Sequence, residues 1–172
     1  MAEALLELDL LEGIGLQDLP GSLVRDEYFA KSNFEKFVTF YIGEMLFGVP
    51  ADEVAEVVHP FRVTPLPNMP PNLIGITAVR GEVVAVLGLK QAVGARAGAA
   101  IVKEKLIVLN PKGSKMQMAF PVDKMHEIVL LAEKDISPTR GGTPSFVCGL
   151  ANLNVGNLAI IDAEGLPDLL DN

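Results

Sequence analysis

The side chains in this sequence that could do chemistry are two histidines, one cysteine and two recurring pairs of carboxylates. His59 and His126 have no cysteine, histidine or aspartate partner at the spacing of a metal site, so no metal centre is predicted. His59 also lacks the long helix and the acid-base neighbours that surround a phosphoacceptor histidine. Cys148 lies in an apolar stretch, where burial would raise the pKa of its thiol and leave it unreactive.

The carboxylate pairs are Asp52 with Glu56 and Asp123 with Glu127, each at helical spacing. Acid-base catalysis is conceivable, but recurrence at two places favours a structural role in capping and solvation. The Gly-Ile-Gly at 13–15 has no third glycine and follows no strand, so a dinucleotide site is not predicted. With no nucleophile elbow, catalytic constellation or cofactor motif, the sequence is most simply that of a binding module.

The composition narrows the classes of partner. The chain has 172 residues, 49% of them hydrophobic, which is enough for a substantial core. A net charge of -8 and the lack of basic clusters argue against binding to nucleic acid or anionic membranes. No apolar run approaches the roughly 20 residues of a bilayer span. A single cysteine and an acidic N-terminal segment predict a protein of the reducing cytoplasm without an export signal.

The chain is organised around residues 66–89. Prolines before and within this stretch hold its first part extended. Two runs rich in β-branched residues follow at 73–79 and 82–89, and Arg80 with Gly81 can form the tight turn of a hairpin between them. Arg80 is then either a solvated turn residue or a recognition cation that meets a carboxylate across an interface or between lobes.

The other elements are predicted from hydrophobic periodicity and from glycine and proline. Leucines at helical spacing between glutamates predict an acidic amphipathic helix and a linker over residues 1–32, which could cover the protein's own surface or dock a partner. Pro50 and the valines after it predict a helix over 51–59. The remaining strands are predicted at 34–43, 45–49, 105–110, 115–121, 125–131, 146–153 and 157–162, with short helices near 89–93 and 166–170.

An internal repeat is the most informative feature of the organisation. Residues 48–58, GVPADEVAEVV, match residues 119–129, AFPVDKMHEIV, and the two copies cover about 37–93 and 105–166. The second copy has Asn154 at the position of the turn arginine, so the scaffold does not require that cation. Units this small bury little surface alone, so we expect two small barrels packed side by side with a groove between them.

Four ordered motifs carry a likeness to a known family: TPLPNMPPNLIGITAVRGEVVAVLGL, FGVPADEVAEVV, MAFPVDKMHEIV and FVCGLANLNVGNLAIID. Through them, residues 34–170 resemble the CheW family of adaptors, which couple chemoreceptors to the histidine kinase CheA. The resemblance implies an all-β fold with short helices, in which two SH3-like five-stranded β-barrels pack side by side. It also implies one CheW-like domain over residues 33–172 after an extension over 1–32, and strands that can cross between the lobes.

The resemblance assigns partner-binding roles to five residues. Arg80, at the family's RG turn, would bind receptor or kinase, and its guanidinium would meet Glu56 or an acid of the partner. Gly75 and Gly81 match glycines that shape the hairpin. Val54 and Glu56 match the segment beside the inter-lobe groove, which accepts the helical tip of the receptor. No catalytic, cofactor-binding or metal-binding residue is implied.

Two positions depart from the family pattern. Ala78 stands where the family usually has asparagine, and Gly88 where it usually has aspartate, although Asp162 keeps that acid in the second repeat. Both changes could alter the choice of partner. The expected function is a noncatalytic cytoplasmic adaptor, recruited to membrane receptor arrays, that binds chemoreceptor tips and the regulatory domain of CheA. The alternatives are the same role in a pathway for pili, surface motility or another output, and a peptide-binding barrel without a kinase partner.

Overall fold

The computed structural model describes residues 33–94, 105–112, 115–139 and 143–171. The helix and linker predicted over residues 1–32 lie outside the described residues. Within the described ranges, no helix is long and apolar enough to cross a membrane.

Most of the described residues belong to strands of two sheets, which confirms the predicted mainly β, two-lobed fold. The strands are β1 (Phe34–Ile42), β2 (Met45–Pro50), β3 (Val54–Val58), β4 (Leu73–Val79), β5 (Glu82–Leu87), β6 (Lys105–Leu109), β7 (Met118–Val122), β8 (Lys124–Ala132), β9 (Ile136–Pro138), β10 (Val147–Leu153) and β11 (Gly156–Ile161). A short helix, α1 (Leu89–Ala92), follows β5, and 3-10 turns occupy Ala51–Glu53, Glu133–Asp135 and Ala163–Leu170. Lobe A is the six-stranded sheet β8-β1-β2-β11-β10-β9, and lobe B is the five-stranded sheet β3-β6-β7-β5-β4.

Each lobe combines strands from both copies of the repeat. The β1–β2 hairpin of the first copy lies in lobe A beside strands of the second copy, while the equivalent β6–β7 hairpin lies in lobe B beside strands of the first. Two parallel pairs join the hairpins to their lobes, with Gly48 opposite Ile160 in lobe A and Ala119 opposite Val86 in lobe B. The two pairs occupy equivalent positions in the two copies of the repeat. The predicted crossing of strands between lobes therefore takes the form of an exchange of the β1–β2 and β6–β7 hairpins.

Three hydrophobic clusters fill the two lobes. One is built from lobe A alone and includes Phe37 and Leu158, and a second is built from lobe B alone and includes Val84 and Leu106. The third takes buried side chains from both sheets: Phe40, Ile42, Phe47, Val49 and Ile161 from lobe A, with Leu87, Ile107, Leu109, Met118, Phe120 and Val122 from lobe B. Burial of apolar surface between the sheets therefore fixes one lobe against the other.

The helix predicted over 51–59 is wrong. The chain makes one 3-10 turn at Ala51–Glu53 and then forms β3, where Glu56 pairs with Val108 of β6. The valines of this segment fit a helical spacing, but β-branched side chains also favour a strand, and the ladder to β6 decides the outcome. Two smaller differences concern β7, which begins at Met118 rather than 115, and β9, whose three residues are too few for a sequence pattern.

Candidate partner-binding site

The turn between β4 and β5 presents Arg80 at one end of lobe B. Val79 pairs with Glu82 across a two-residue loop, and both loop residues have positive φ, 52° at Arg80 and 83° at Gly81. This is the backbone of a type I′ turn, whose twist matches that of the flanking strands. A Cβ at Gly81 would meet nothing within 4 Å, so glycine serves the backbone conformation rather than packing. The predicted hairpin with Arg80 at its turn is confirmed.

Arg80 reaches across the lobe to Glu56. Its Nε donates a hydrogen bond of 2.9 Å to Glu56 Oε1 in β3, while β3 and β4 are opposite edges of the lobe B sheet. The ion pair of Arg80 with Glu56 thus joins the two edges of the lobe B sheet. It is one of the two alternatives that the sequence left open. The arginine side chain is 81% exposed and the glutamate side chain 23%. Because solvent screens so exposed a cation, the pair adds little to the free energy of unfolding.

The segment between β3 and β4 covers the outer edge of β4. Thr64 N donates to Ile76 O at 2.8 Å, and Ile76 N donates to Thr64 O at 2.9 Å. A Cβ added at Gly75 would overlap the carbonyl oxygen of Thr64 and lie 2.8 Å from Val63 Cγ1, so this close approach needs glycine. The proline-rich segment therefore protects an edge strand, and Gly75 is the residue that admits it.

The five residues singled out by the resemblance do not form one cluster. Arg80 and Glu56 touch, and Gly81 shares the turn with Arg80. Val54 opens β3 and packs, half-buried, against the core that both lobes share. Gly75 shapes β4 from within the strand. The ion pair is consequently the exposed polar feature of the site, and the other three residues support the strands that carry it.

The side chains considered for chemistry have structural surroundings. The His126 ring meets Tyr41 edge-on at 5.6 Å, and its Nε2 lies 3.3 Å from Glu127 Oε1. Among the described residues, no three histidine, cysteine or acidic side chains could hold a metal ion. Partial desolvation of the thiol, and next the charge of Asp162, raise the pKa of Cys148. The residue as a whole is exposed on β10, so the burial predicted from its apolar stretch is wrong.

The recurring aspartates make structural contacts, but these are ion pairs and a hydrogen bond to a turn rather than the predicted helix caps. Asp123 accepts a hydrogen bond of 2.6 Å from Gly43 N through Oδ2 and pairs with Lys90. Asp52 pairs with Lys112 on the turn between β6 and β7. Both aspartates lie where the chain leaves the exchanged hairpin and enters the other lobe, so they stabilise turns at equivalent crossings.

Sequence reasoning missed a cleft of about 290 Å³ at the end of lobe B, lined by Glu82, Val83, Ala85, Lys115, Met116 and Gln117. Val83 is 73% exposed and Met116 is 64% exposed. The available signal was the apolar run in β5, which places a valine on the solvent face of the strand as well as on the core face.

The fold and this site together define a class, that of two-lobed β domains with an exposed ion pair on a hairpin turn. The chain belongs to the family of the CheW-like domain, whose sequence profile matches residues 36–170. It is similar to the crystal structure of the scaffolding protein TtCheW from Thermoanaerobacter tengcongensis, with a TM-score of 0.66 and 27% identity over 74% of this chain and 88% of that one.

Two curated relatives differ in the extent of the match. The chemotaxis protein CheW of Treponema pallidum is 24% identical over 151 residues, which cover 83% of this chain and 84% of that protein. Protein FrzA of Myxococcus xanthus is 42% identical over 55 residues, which cover 32% of this chain and only 34% of FrzA. The likeness to CheW proteins therefore extends over most of the domain, whereas the likeness to FrzA is local.

Proposed function

We propose that this protein is a noncatalytic cytoplasmic adaptor that couples chemoreceptors to a CheA-type histidine kinase in chemotaxis-type signalling. The observation that carries the proposal is Arg80, a highly exposed arginine on a hairpin turn that contacts Glu56 in a domain of the CheW-like family. The relatives named as a chemotaxis protein and as a scaffolding protein support it. Asp52, Asp123 and His126 make structural contacts, which supports a role without catalysis.

Arg80 would act by binding an acid of the partner. Its Nε is engaged by Glu56, whereas the 81% exposure of the side chain leaves the terminal amino groups facing solvent. The guanidinium still offers N–H donors in a planar fork that matches a carboxylate. Glu56 is then a positioning residue, and Arg80 is the residue that contacts the partner.

The helical tip of the receptor would lie in the groove between the lobes, beside Val54 and Glu56, with its nonpolar face buried. An exposed end of one lobe would pack against the regulatory domain of the kinase. An area of about 800 Å² on each partner is usual for specific contacts of this kind. Binding both partners at once would hold the kinase at the receptor array, which is the coupling that the proposal requires.

A reconstituted array of receptor fragment, kinase and this protein tests the proposal. The variant Arg80→Glu should abolish the receptor control of kinase autophosphorylation, while the thermal midpoint stays nearly unchanged because the arginine is exposed. Arg62→Glu, a charge reversal at another exposed arginine, is the matched control and should couple normally. Normal coupling by Arg80→Glu would refute the proposed role.

A second candidate is the same adaptor role in another chemosensory pathway, such as one for pili or surface motility. Ala78 and Gly88 favour this version, because they stand at positions where the family usually has polar residues. Affinity purification from the native cell, followed by identification of the co-purified kinase and receptors, distinguishes the two pathways. Recovery of neither a kinase nor a receptor would favour instead a peptide-binding barrel without a kinase partner.

A further inference from the structure

The backbone that leads into β4 is built like the backbone that leads into β10. Gly88 N donates a hydrogen bond to Asn72 O at 2.8 Å, and Asp162 N donates to Phe146 O at the same distance. Two further backbone bonds match in the same way, from Leu73 N to Pro70 O at 3.0 Å and from Val147 N to Pro144 O at 2.9 Å. Asn72 and Phe146 therefore occupy equivalent places in the two copies of the repeat, each directly before a strand.

The two side chains at these places differ in kind. The Phe146 ring is fully buried in the hydrophobic cluster that both lobes share. Asn72 is half-buried, and its Nδ2 donates a hydrogen bond of 3.2 Å to the carbonyl oxygen of Leu169. Leu169 is itself buried in the shared cluster. Because a phenyl ring serves at the equivalent place, the scaffold does not require an amide before β4.

The hydrogen bond of Asn72 connects two parts of the chain that belong to different lobes. Leu169 lies in the 3-10 turn Ala163–Leu170, which follows β11 of lobe A. Asn72 precedes β4 of lobe B, and β4 carries Arg80 on the turn at its other end. Apolar burial is non-directional, whereas a hydrogen bond depends on both distance and angle. The amide therefore restricts the place of β4 relative to lobe A more narrowly than a phenylalanine ring would.

We propose that Asn72 is a positioning residue for the coupling: its hydrogen bond to Leu169 fixes β4, and with it the Arg80 turn, relative to lobe A. The partner would then meet Arg80 and the groove between the lobes in a single arrangement, so that no affinity is lost to arrangements that cannot bind. The role in coupling rests on the proposed adaptor function. The hydrogen bond itself is tested on the protein alone, so the two ideas can fail separately.

The variant Asn72→Asp removes the donor at nearly constant side-chain size. Asn68→Asp is the matched control, because it makes the same change on an exposed turn of the same proline-rich segment. Hydrogen exchange of the full chain, measured by mass spectrometry at pH 7, should be about fivefold faster over residues 163–170 in Asn72→Asp than in the wild type and the control. Exchange over β6 of lobe B should stay at the wild-type rate.

A pH series separates the loss of this one donor from a general structural defect. A protonated carboxyl can donate its O–H to the Leu169 carbonyl oxygen, whereas a carboxylate cannot. The excess exchange of Asn72→Asp over the wild type at the same pH should therefore shrink as the pH is lowered to about 4, where such a carboxyl takes up its proton. Equal exchange in the two proteins, or an excess that does not depend on pH, would overturn the proposed role of the bond.

The reconstituted array then tests the role in coupling at neutral pH. The concentration of receptor fragment that gives half-maximal control of the kinase should be about fivefold higher for Asn72→Asp than for the wild type and Asn68→Asp. The maximal control should stay the same, because Arg80 is still present. An unchanged half-maximal concentration, in an array where the wild-type protein couples, would overturn the positioning role and leave the adaptor role intact. A wild-type protein that does not couple would refute both.

Discussion

Asp123 and Asp52 occupy equivalent crossings between the lobes, but Asp123 is held far more firmly. Its side chain is 16% exposed, pairs with Lys90 and accepts the backbone N–H of Gly43, whereas Asp52 makes one ion pair with Lys112 and has a side chain that is 54% exposed. A partly buried carboxylate with two partners contributes more to folding than an exposed one with a single partner. Asp123 therefore contributes more to the free energy of unfolding than Asp52 does.

The first prediction follows from this asymmetry. Asp123→Ala should lower the free energy of unfolding by about 1–3 kcal/mol, because it removes the acceptor of Gly43 N and the partly buried ion pair with Lys90. Asp52→Ala should change it little. Urea denaturation of both variants and the wild type gives the comparison. Equal losses in the two variants would contradict the assignment.

The second prediction concerns the two glycines of the β4–β5 hairpin, which are required for different reasons. Gly75→Ala should destabilise the protein by about 1–3 kcal/mol, because its Cβ would overlap the Thr64 carbonyl group. Gly81→Ala should cost about 1–2 kcal/mol through its positive φ alone. Asparagine tolerates that conformation, so Gly81→Asn should recover part of the loss, while Gly75→Asn should recover none. Thermal denaturation of the four variants measures both effects.

The third prediction concerns Gly88, which stands where the family usually has aspartate. Asp162 is the equivalent residue of the second repeat and serves as the comparison. Asp162 Oδ1 accepts the backbone N–H of Glu164 at 3.0 Å and caps the turn that follows, whereas Gly88 begins α1 with no side-chain cap. Its φ of -96° suits any residue, and an added Cβ would displace only the end of the exposed Gln91 side chain and press lightly on Ile74. Gly88→Asp should therefore be more stable than the control Gly88→Ala by about 1 kcal/mol. Equal midpoints for the two variants would show that no cap forms.

The fourth prediction concerns Glu53, whose Oε2 is buried without a hydrogen-bond partner among the residues that the structure describes. Burial, and next the charge of Asp52, raise the pKa of this carboxyl above 4.5. An acid with a raised pKa in the folded state destabilises the fold when it is ionised, so this penalty should disappear as the pH falls through the folded pKa towards 4.5.

Glu53→Gln should accordingly stabilise the protein at neutral pH, and the gain over the wild type should shrink as the pH is lowered through that window. Glu133→Gln, on an exposed turn, is the control for the loss of one acidic charge. Urea titrations of the three proteins at a series of pH values measure the effect. A constant difference across the series would contradict the prediction.

The sequence predicted correctly those strands for which residue propensity and turn chemistry indicate the same structure. The β4–β5 hairpin has β-branched runs on both sides and a residue pair that accepts positive φ, so propensity and turn chemistry indicate the same structure. Over residues 51–59, the valine spacing suits a helix while the valine side chains suit a strand. Only the ladder to β6, about fifty residues away in the sequence, resolves that conflict.

The sequence patterns did not predict which strands pair when they lie far apart in the chain. The repeat identified equivalent strands, but the parallel pairs β2 with β11 and β5 with β7 decide which lobe receives each hairpin. The contact of Arg80 with Glu56 likewise depends on the curvature that brings β3 near β4, so the sequence offered it only as one of two alternatives. The exposed cleft at Val83 and Met116 depends on where two strands diverge, which has no local signature.

The fifth prediction separates the two ways in which Arg80 could support coupling. The double variant Arg80→Glu with Glu56→Arg exchanges the two charges, so the ion pair between β3 and β4 can form again while the exposed turn carries a carboxylate. If the pair served only to fix the geometry of lobe B, the double variant would recover the coupling that Arg80→Glu loses. Because the terminal amino groups of Arg80 face solvent and are proposed to bind an acid of the partner, we expect the double variant to remain uncoupled. Kinase autophosphorylation in the reconstituted array measures the outcome, and recovery to wild-type coupling would assign Arg80 a purely structural role.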